Sequence, residues 1–304
     1  MDAPAALRLE AGAAAARVLP YGARLAALSF GGTDVVLAYP DDADHRDDEP
    51  YLGSVLGRTS GRIKAASLVL DQTTHRLTAN EGEDHLHGGT LGFGRRTWDV
   101  EAADARSATL RHSSPDGEEG YPGRLDASCR FDLEPDRLTI TYEAEADAPT
   151  PVSLTHHPYF ALGGGVSAHR LTVNASGWLP LTARGVPTRE RRDVTGGPLD
   201  LRAGRSLADL LADLDGPLDH CLVCEGGVEV LLEGPAGALR LAADQPCLQV
   251  YGAGKMGAPF GPGAGLALEP QAYPDAERCG FPSRLLRPGE TYRRTTVVAW
   301  LGAA

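Results

Sequence analysis

From Leu138 to Ala146 apolar and polar residues alternate without a break. Leu138, Ile140, Tyr142, Ala144 and Ala146 fall on one side, and Thr139, Thr141, Glu143 and Glu145 on the other. Successive side chains of a strand point to opposite faces, so the pattern predicts a strand with one face in a core and one toward water. Shorter apolar runs predict further strands at Ala108 to Arg111, Leu125 to Phe131, Leu171 to Val173, Val228 to Leu232 and Leu239 to Ala242. Leu248 to Tyr251, Leu266 to Glu269 and Thr295 to Trp300 complete this set. Near the start, Ala6 to Phe30 reads as two or three strands around the turn Pro20-Tyr21-Gly22. Ala-rich Ala13 to Ala16 has the composition of a helix but is short and follows Gly12, which leaves the strand reading in place. Asp34 to Leu37 predicts a strand, and Ser67 to Leu70 with His75 to Leu77 a hairpin turning near Asp71-Gln72.

One helix is predicted. Ser206 is a capping residue, Leu207, Leu210, Leu211 and Leu214 share a face, Asp209 occupies the capping-box position, and Gly216-Pro217 stops the helix. Asp41 to Glu49, with His45 and Arg46 inside it, reads as a solvated acidic connector. Many short strands divided by Gly/Pro turns, with no repeat and no linker, predict one all-β domain over residues 1–304: a large, many-stranded antiparallel β-sandwich.

Bulk properties narrow the function. The formal net charge is −12 and no Lys/Arg block occurs, which argues against nucleic acid and an anionic membrane surface as partners. No apolar run approaches the roughly 20 residues of a membrane span. Asp2, Arg8 and Glu10 interrupt the N-terminus, which lacks the basic-then-apolar order of a secretion signal. Five scattered cysteines point to free thiols and a cytoplasmic setting.

Several motifs carry little chemistry. Cys221 and Cys224 lie in a strand-like run, whereas redox pairs of that spacing open helices and a zinc site needs further ligands. There is no Gly-x-Ser-x-Gly elbow and no dinucleotide fingerprint. Gly53, Gly57 and Gly61 recur every fourth residue with Arg58 and Arg62 beside them, but no Gly-Lys-Ser/Thr follows; glycine permits close approach of a ligand, and arginine offers a rigid fork of donors. His85 and His87 would share a face on a strand, as in a cupin metal site, yet no Glu follows between Gly88 and Trp98.

More informative is Ser-Leu-Thr-His-His-Pro-Tyr-Phe at residues 153–160. Imidazole exchanges protons near neutrality, and Pro158 biases His157 toward extended backbone. The two imidazoles then face opposite ways, one functional and one supporting. Glu269 follows Leu266-Ala267-Leu268 and precedes Pro270. A carboxylate at the end of a buried strand is desolvated, which raises its pKa toward that of a general base.

Six blocks in order, "GSVLGRTSGRI", "NEGEDHLHGGTLGFGRRTWDV", "LTHHPYFALGG", "LDH", "LQVYGAG" and "LEPQAYPDA", resemble the aldose 1-epimerase (galactose mutarotase) family along nearly the whole chain, after an opening "VLPYGARLAALSF" similar to its first strands. The resemblance implies the family's large β-sandwich (the galactose mutarotase-like supersandwich) with a sugar-binding cleft. His157 is implied as general acid, Glu269 as general base, and Arg62, His87, Asp219 and Gln249 as sugar-binding positions. The sequence departs from the family at Gly61 and Ala161, where Asn is usual, at His156, where Asn is common, and at Pro270, where Thr is usual. Anomer exchange involves no redox step, so the expectation is no cofactor and no metal, a small-molecule sugar as partner, and a monomer or homodimer. The rival readings are a non-catalytic sugar-binding protein and an enzyme of this fold turned to another reaction on a modified sugar or metabolite. A phosphosugar variant would draw on Arg58, Arg95 and Arg96.

Overall fold

The computed structural model describes residues 5–47, 50–283 and 285–303; Asp2 and, at the end of the acidic connector, Asp48 and Glu49 lie outside them. Among the described residues the largest sheet has nine strands, which run in spatial order Asp99–Ala103, Ser107–Ser114, Leu125–Glu134, Arg137–Ala146, Tyr292–Gly302, Gly237–Ala243, Val228–Gly234, Arg170–Val173 and Arg205–Ser206. A six-stranded sheet orders Tyr159–Phe160, Leu266–Gln271, Cys247–Tyr251, Asp219–Val223, Gly177–Leu179 and Arg192–Asp193. A four-stranded meander, Leu7–Ala11, Ala14–Leu19, Arg24–Phe30 and Thr33–Asp34, forms a third layer. The pairings within all three are antiparallel.

The alternation of residues 138–146 is realised in register. Leu138, Ile140, Tyr142 and Ala144 are buried, and the strand pairs over its length with Leu125–Glu134 and with Tyr292–Gly302. One continuous core gathers the inward faces of all three sheets, with Leu25 and Phe30 from the meander, Phe131, Ile140 and Val298 from the nine-stranded sheet, and Leu222, Leu248 and Leu268 from the six-stranded one. Burial of such side chains contributes about 1.5–3 kcal/mol each, which sets the register that carries the polar face of the six-stranded sheet.

Ala13 to Ala16 keeps to the strand reading of Ala6 to Phe30, because Ala14 and Ala16 face the core from within Ala14–Leu19. Three expectations change. The strand expected at Asp34 to Leu37 stops at Asp34; Val36 and Leu37 cross to the six-stranded sheet, where Val36 bridges Phe160 and the Leu37 N–H donates to the Tyr159 carbonyl. The helix Leu207–Asp213 forms, but Ser206 gives it no side-chain cap because its backbone closes the edge of the nine-stranded sheet opposite Arg170; Leu207 and Leu210 are buried and Leu211 is exposed. The acidic connector contains a 3-10 turn, Asp42–Asp47, that seals His45 inside against the Tyr39 ring, 4.9 Å away. The hairpin at Ser67–Leu70 and Thr73–Arg76 is as expected, with Asp71 and Gln72 both at positive φ. The five cysteines are free, and no helix among the described residues is long and apolar enough to cross a membrane.

Candidate active site

The site is assembled from the six-stranded sheet and two loops that fold over it. In the sheet, Cys221, Gln249 and Glu269 lie directly opposite one another across three strands, and Asp219 is one diagonal step from Gln249. Antiparallel pairing places these side chains on one face, and the Gln249 Nε2 donates to Asp219 Oδ1 at 2.5 Å. Glu269 is buried within the strand Leu266–Gln271, which is buried along its whole length.

The His-His pair divides as the extended backbone requires. His156 points into the core, with its Nδ1 bonded to the Tyr142 hydroxyl at 2.9 Å and its Nε2 donating to the Ala23 carbonyl at 2.8 Å. His157 points the other way, and its Nε2 lies 3.3 Å from Glu269 Oε1. His157 Nδ1 and Glu269 Oε2 are buried and have no hydrogen-bond partner among the described residues. Burial pushes the Glu269 carboxyl up to about 8, helped by the charge of Asp219 and opposed by that of Arg62. Burial pushes the His157 imidazole down to about 4.

His87 joins them by a route different from the one expected. The strand there is only His85–Leu86, and His87 has φ +52, so the two histidines do not share a face. His85 turns inward to bond Tyr121 and the Thr78 carbonyl. His87 turns to the cleft, with its ring 5.8 Å from that of His157 at 89°. The Gly61 N–H donates to His87 Nδ1 at 3.3 Å, so in the neutral ring Nε2 carries the proton and is a donor. Desolvation holds the ring well below its ordinary pKa, in that neutral form. Donor atoms of His87, His157 and Glu269 all lie within 4.8 Å of one another, a set that could hold a metal ion; the tautomer fixed by Gly61 suits hydroxyl recognition instead.

Arg62 sits beside this group on the strand Arg62–Ile63, paired with His85–Leu86. It bonds Glu81 at 3.3 Å, and a Cβ at Gly185 would lie 2.8 Å from its Nη1, so the loop at Gly185 packs flat on the guanidinium. Thus all six residues singled out in the sequence are brought together. Gly53 serves differently from the expectation: a Cβ there would lie 2.1 Å from the Leu25 carbonyl oxygen, and one at Gly88 would lie 1.6 Å from that of Gly57, so at these two positions backbone packs against backbone. Arg58 is buried and bonded to Ser114, Pro115, Pro122 and Thr150, and Arg96 is paired with Glu118, which removes both from any phosphate pocket. Sequence reasoning missed Tyr51, whose ring lies 5.1 Å from that of His87 and 6.4 Å from that of His157. Nothing in the local pattern distinguishes it from a core tyrosine.

The family model described as Aldose 1-epimerase matches residues 5–299. Galactose mutarotase from Bos taurus is 34% identical over 284 residues, covering 87% of this chain and 83% of that one. Aldose 1-epimerase from Escherichia coli is 32% identical over 278 residues, covering 83% and 80%. Among solved structures, an aldose epimerase homologue from C. elegans superposes with TM-score 0.93 at 26% identity, covering 99% of each chain. Galactose 1-epimerase from Lactobacillus acidophilus gives TM-score 0.89 at 28% identity, covering 98% of this chain and 94% of that one.

Proposed function

The chain belongs to the aldose 1-epimerase family, and from that premise we propose that it interconverts the α and β anomers of an aldose, with Glu269 as general base and His157 as general acid. The observation that carries this reading is the contact of 3.3 Å between two buried, oppositely perturbed proton carriers, each with one unpartnered polar atom. Glu269 takes the proton of the C1 hydroxyl while His157 protonates the ring oxygen. The C1–O5 bond breaks to give an aldehyde, the C1–C2 bond rotates, and the ring closes on the other face with the proton roles reversed. A sugar reaches both groups only by displacing their direct contact.

The dyad carries one proton throughout. Ring opening starts from a carboxylate and an imidazolium and ends in a carboxylic acid and a neutral imidazole. Burial favours the neutral pair, so the reacting ion pair is the minor protonation state of the resting dyad, a strong base beside a strong acid, and its proton transfers to and from the sugar run downhill. The Nε2–H of His87, the Arg62 guanidinium and the Asp219–Gln249 pair offer donors and acceptors that hold the hydroxyls and fix the ring.

The test is the approach of fresh α-D-glucose and α-D-galactose to anomeric equilibrium, followed by polarimetry or NMR across a panel of aldoses. The protein is expected to accelerate exchange of at least one. Glu269→Gln and His157→Asn should each lower kcat about 100- to 10,000-fold while leaving the fold intact. No acceleration of any aldose, or near-normal rates in either variant, defeats the assignment.

A further inference from the structure

We infer that Tyr51 is a positioning residue for both cleft imidazoles, an inference that rests on the mutarotase reading. Tyr51 has φ +57, a conformation that costs a bulky side chain energy and persists only where surrounding structure enforces it. The enforcement is visible. The Tyr51 carbonyl accepts from both the N–H and the hydroxyl of Ser54, at 2.9 and 3.0 Å. The same segment clasps His157 through its main chain: the Gly53 N–H donates to the His157 carbonyl at 2.9 Å, and the His157 N–H donates to the Ser54 carbonyl at 3.0 Å. Gly53 cannot shift, because it lies against the Leu25 main chain.

The left-handed turn aims the half-buried phenol ring at the angle between the two imidazoles. Its ring meets that of His87 edge-on, at 67°, and lies tilted beside that of His157. Arg95 covers it, with Cζ 5.2 Å from the ring centroid. On its other side His157 meets Tyr159, 4.9 Å away, whose hydroxyl donates to the Pro50 carbonyl next to Tyr51. Among the described residues the His157 ring is held only at Nε2, by Glu269 at 3.3 Å, with no hydrogen bond at Nδ1, and His87 has one long one, so ring packing contributes to both orientations. A misplaced general acid costs rate even when every reacting group is present.

The test compares Tyr51→Phe with Tyr51→Asn. Asparagine tolerates positive φ, so it removes the ring without adding backbone strain. Tyr51→Phe is expected to stay within about twofold of the parent in kcat, and Tyr51→Asn to lose about 10- to 100-fold in kcat, with a smaller change in KM. The acid limb of the pH–rate profile should also move upward in Tyr51→Asn, because water then reaches His157 while the other groups facing it, Glu269, His87, Tyr159 and the charge of Arg24, are unchanged. Arg95→Gln loosens the ring without removing it and should lose about threefold, which keeps the inference testable if Tyr51→Asn does not fold. Parent-like kcat and pH profile in Tyr51→Asn overturn the inference, and so does an equal loss in Tyr51→Phe, which would assign the effect to the hydroxyl. The imidazole ring-proton shifts of His87 and His157 by NMR separate this from the mutarotase reading. They should move in Tyr51→Asn and hold in Tyr51→Phe whether or not any sugar turns over; unmoved shifts in Tyr51→Asn sink the ring contact alone.

Discussion

Two polar clusters lie close together in this fold, and they are built on opposite principles. One surrounds Arg58 and Tyr121. The Arg58 guanidinium donates to Ser114, Pro115, Pro122 and Thr150 and sits over the Tyr121 ring at 5.6 Å. The His85 Nδ1–H donates to the Thr78 carbonyl, so its Nε2 accepts from the Tyr121 hydroxyl at 2.7 Å, which in turn accepts from Thr59 at 2.6 Å. The other cluster holds His87, His157 and Glu269, where a buried nitrogen and a buried carboxylate oxygen have no partner among the described residues. Burying an unpaired polar group costs about 1–3 kcal/mol, so the first cluster gives stability and the second costs it. The difference separates His85 and His156, whose ring nitrogens are both bonded, from His157, which is equally buried but faces a carboxylate.

The comparison breaks first on pH. The dyad holds one proton between the lower limit near 4 set by His157 and the upper limit near 8 set by Glu269. On the proposed roles, below the lower limit both groups are protonated and no base remains, and above the upper limit no acid remains. A plot of kcat/KM against pH should be flat between these limits and fall about tenfold per pH unit beyond each. A profile that follows a single group of ordinary histidine pKa would show the cleft to be solvated, and with it the contrast between the clusters would vanish.

The structured cluster gives the next largest effect. Tyr121→Phe removes the hydroxyl that joins Thr59 to His85, leaving two buried polar atoms unpaired. Stability should fall by about 1–3 kcal/mol, read as a lower Tm or denaturant midpoint, while kcat stays within about twofold. A loss of activity without loss of stability would reverse the roles assigned to the two regions.

How much of this was legible in the sequence follows the same division. The strand pattern at residues 138–146 is set by burial of one face, and a period of two survives in any fold that buries it. The burial of Glu269 and the opposite facing of His156 and His157 were legible because an apolar run into a carboxylate, and a proline after a histidine, are local signals; the acid and base roles came from the resemblance. His87 was singled out beside Gly88, but the strand periodicity expected there does not hold: His87 has positive φ and bonds Gly61, 26 residues away in sequence. Ser206 lacked its cap because a distant strand had claimed its backbone, and His45 is buried by a turn whose composition reads as solvent-facing. Tyr51 belongs with these, since its conformation is imposed by neighbours that only the folded chain brings near.

The smallest effect sharpens the contrast by its sign. The Glu269 carboxyl has its pKa raised from 4.5 to about 8 on folding, so the native state holds that proton more tightly than the unfolded chain. The stability linked to it is full below about 4.5, is lost as pH rises toward 8, and changes no further above. Glu269→Gln keeps the site neutral at every pH and leaves His157, whose own linkage runs the other way at lower pH, in both proteins. The variant should therefore match the parent near pH 5 and exceed it by about 1–3 kcal/mol at pH 9, measured by denaturant unfolding at both values. Tyr121→Phe destabilises at both pH values, because it breaks a network already complete. A Glu269→Gln variant less stable than the parent at pH 9 would mean that the carboxylate is well partnered in the native state and that the second cluster is built like the first.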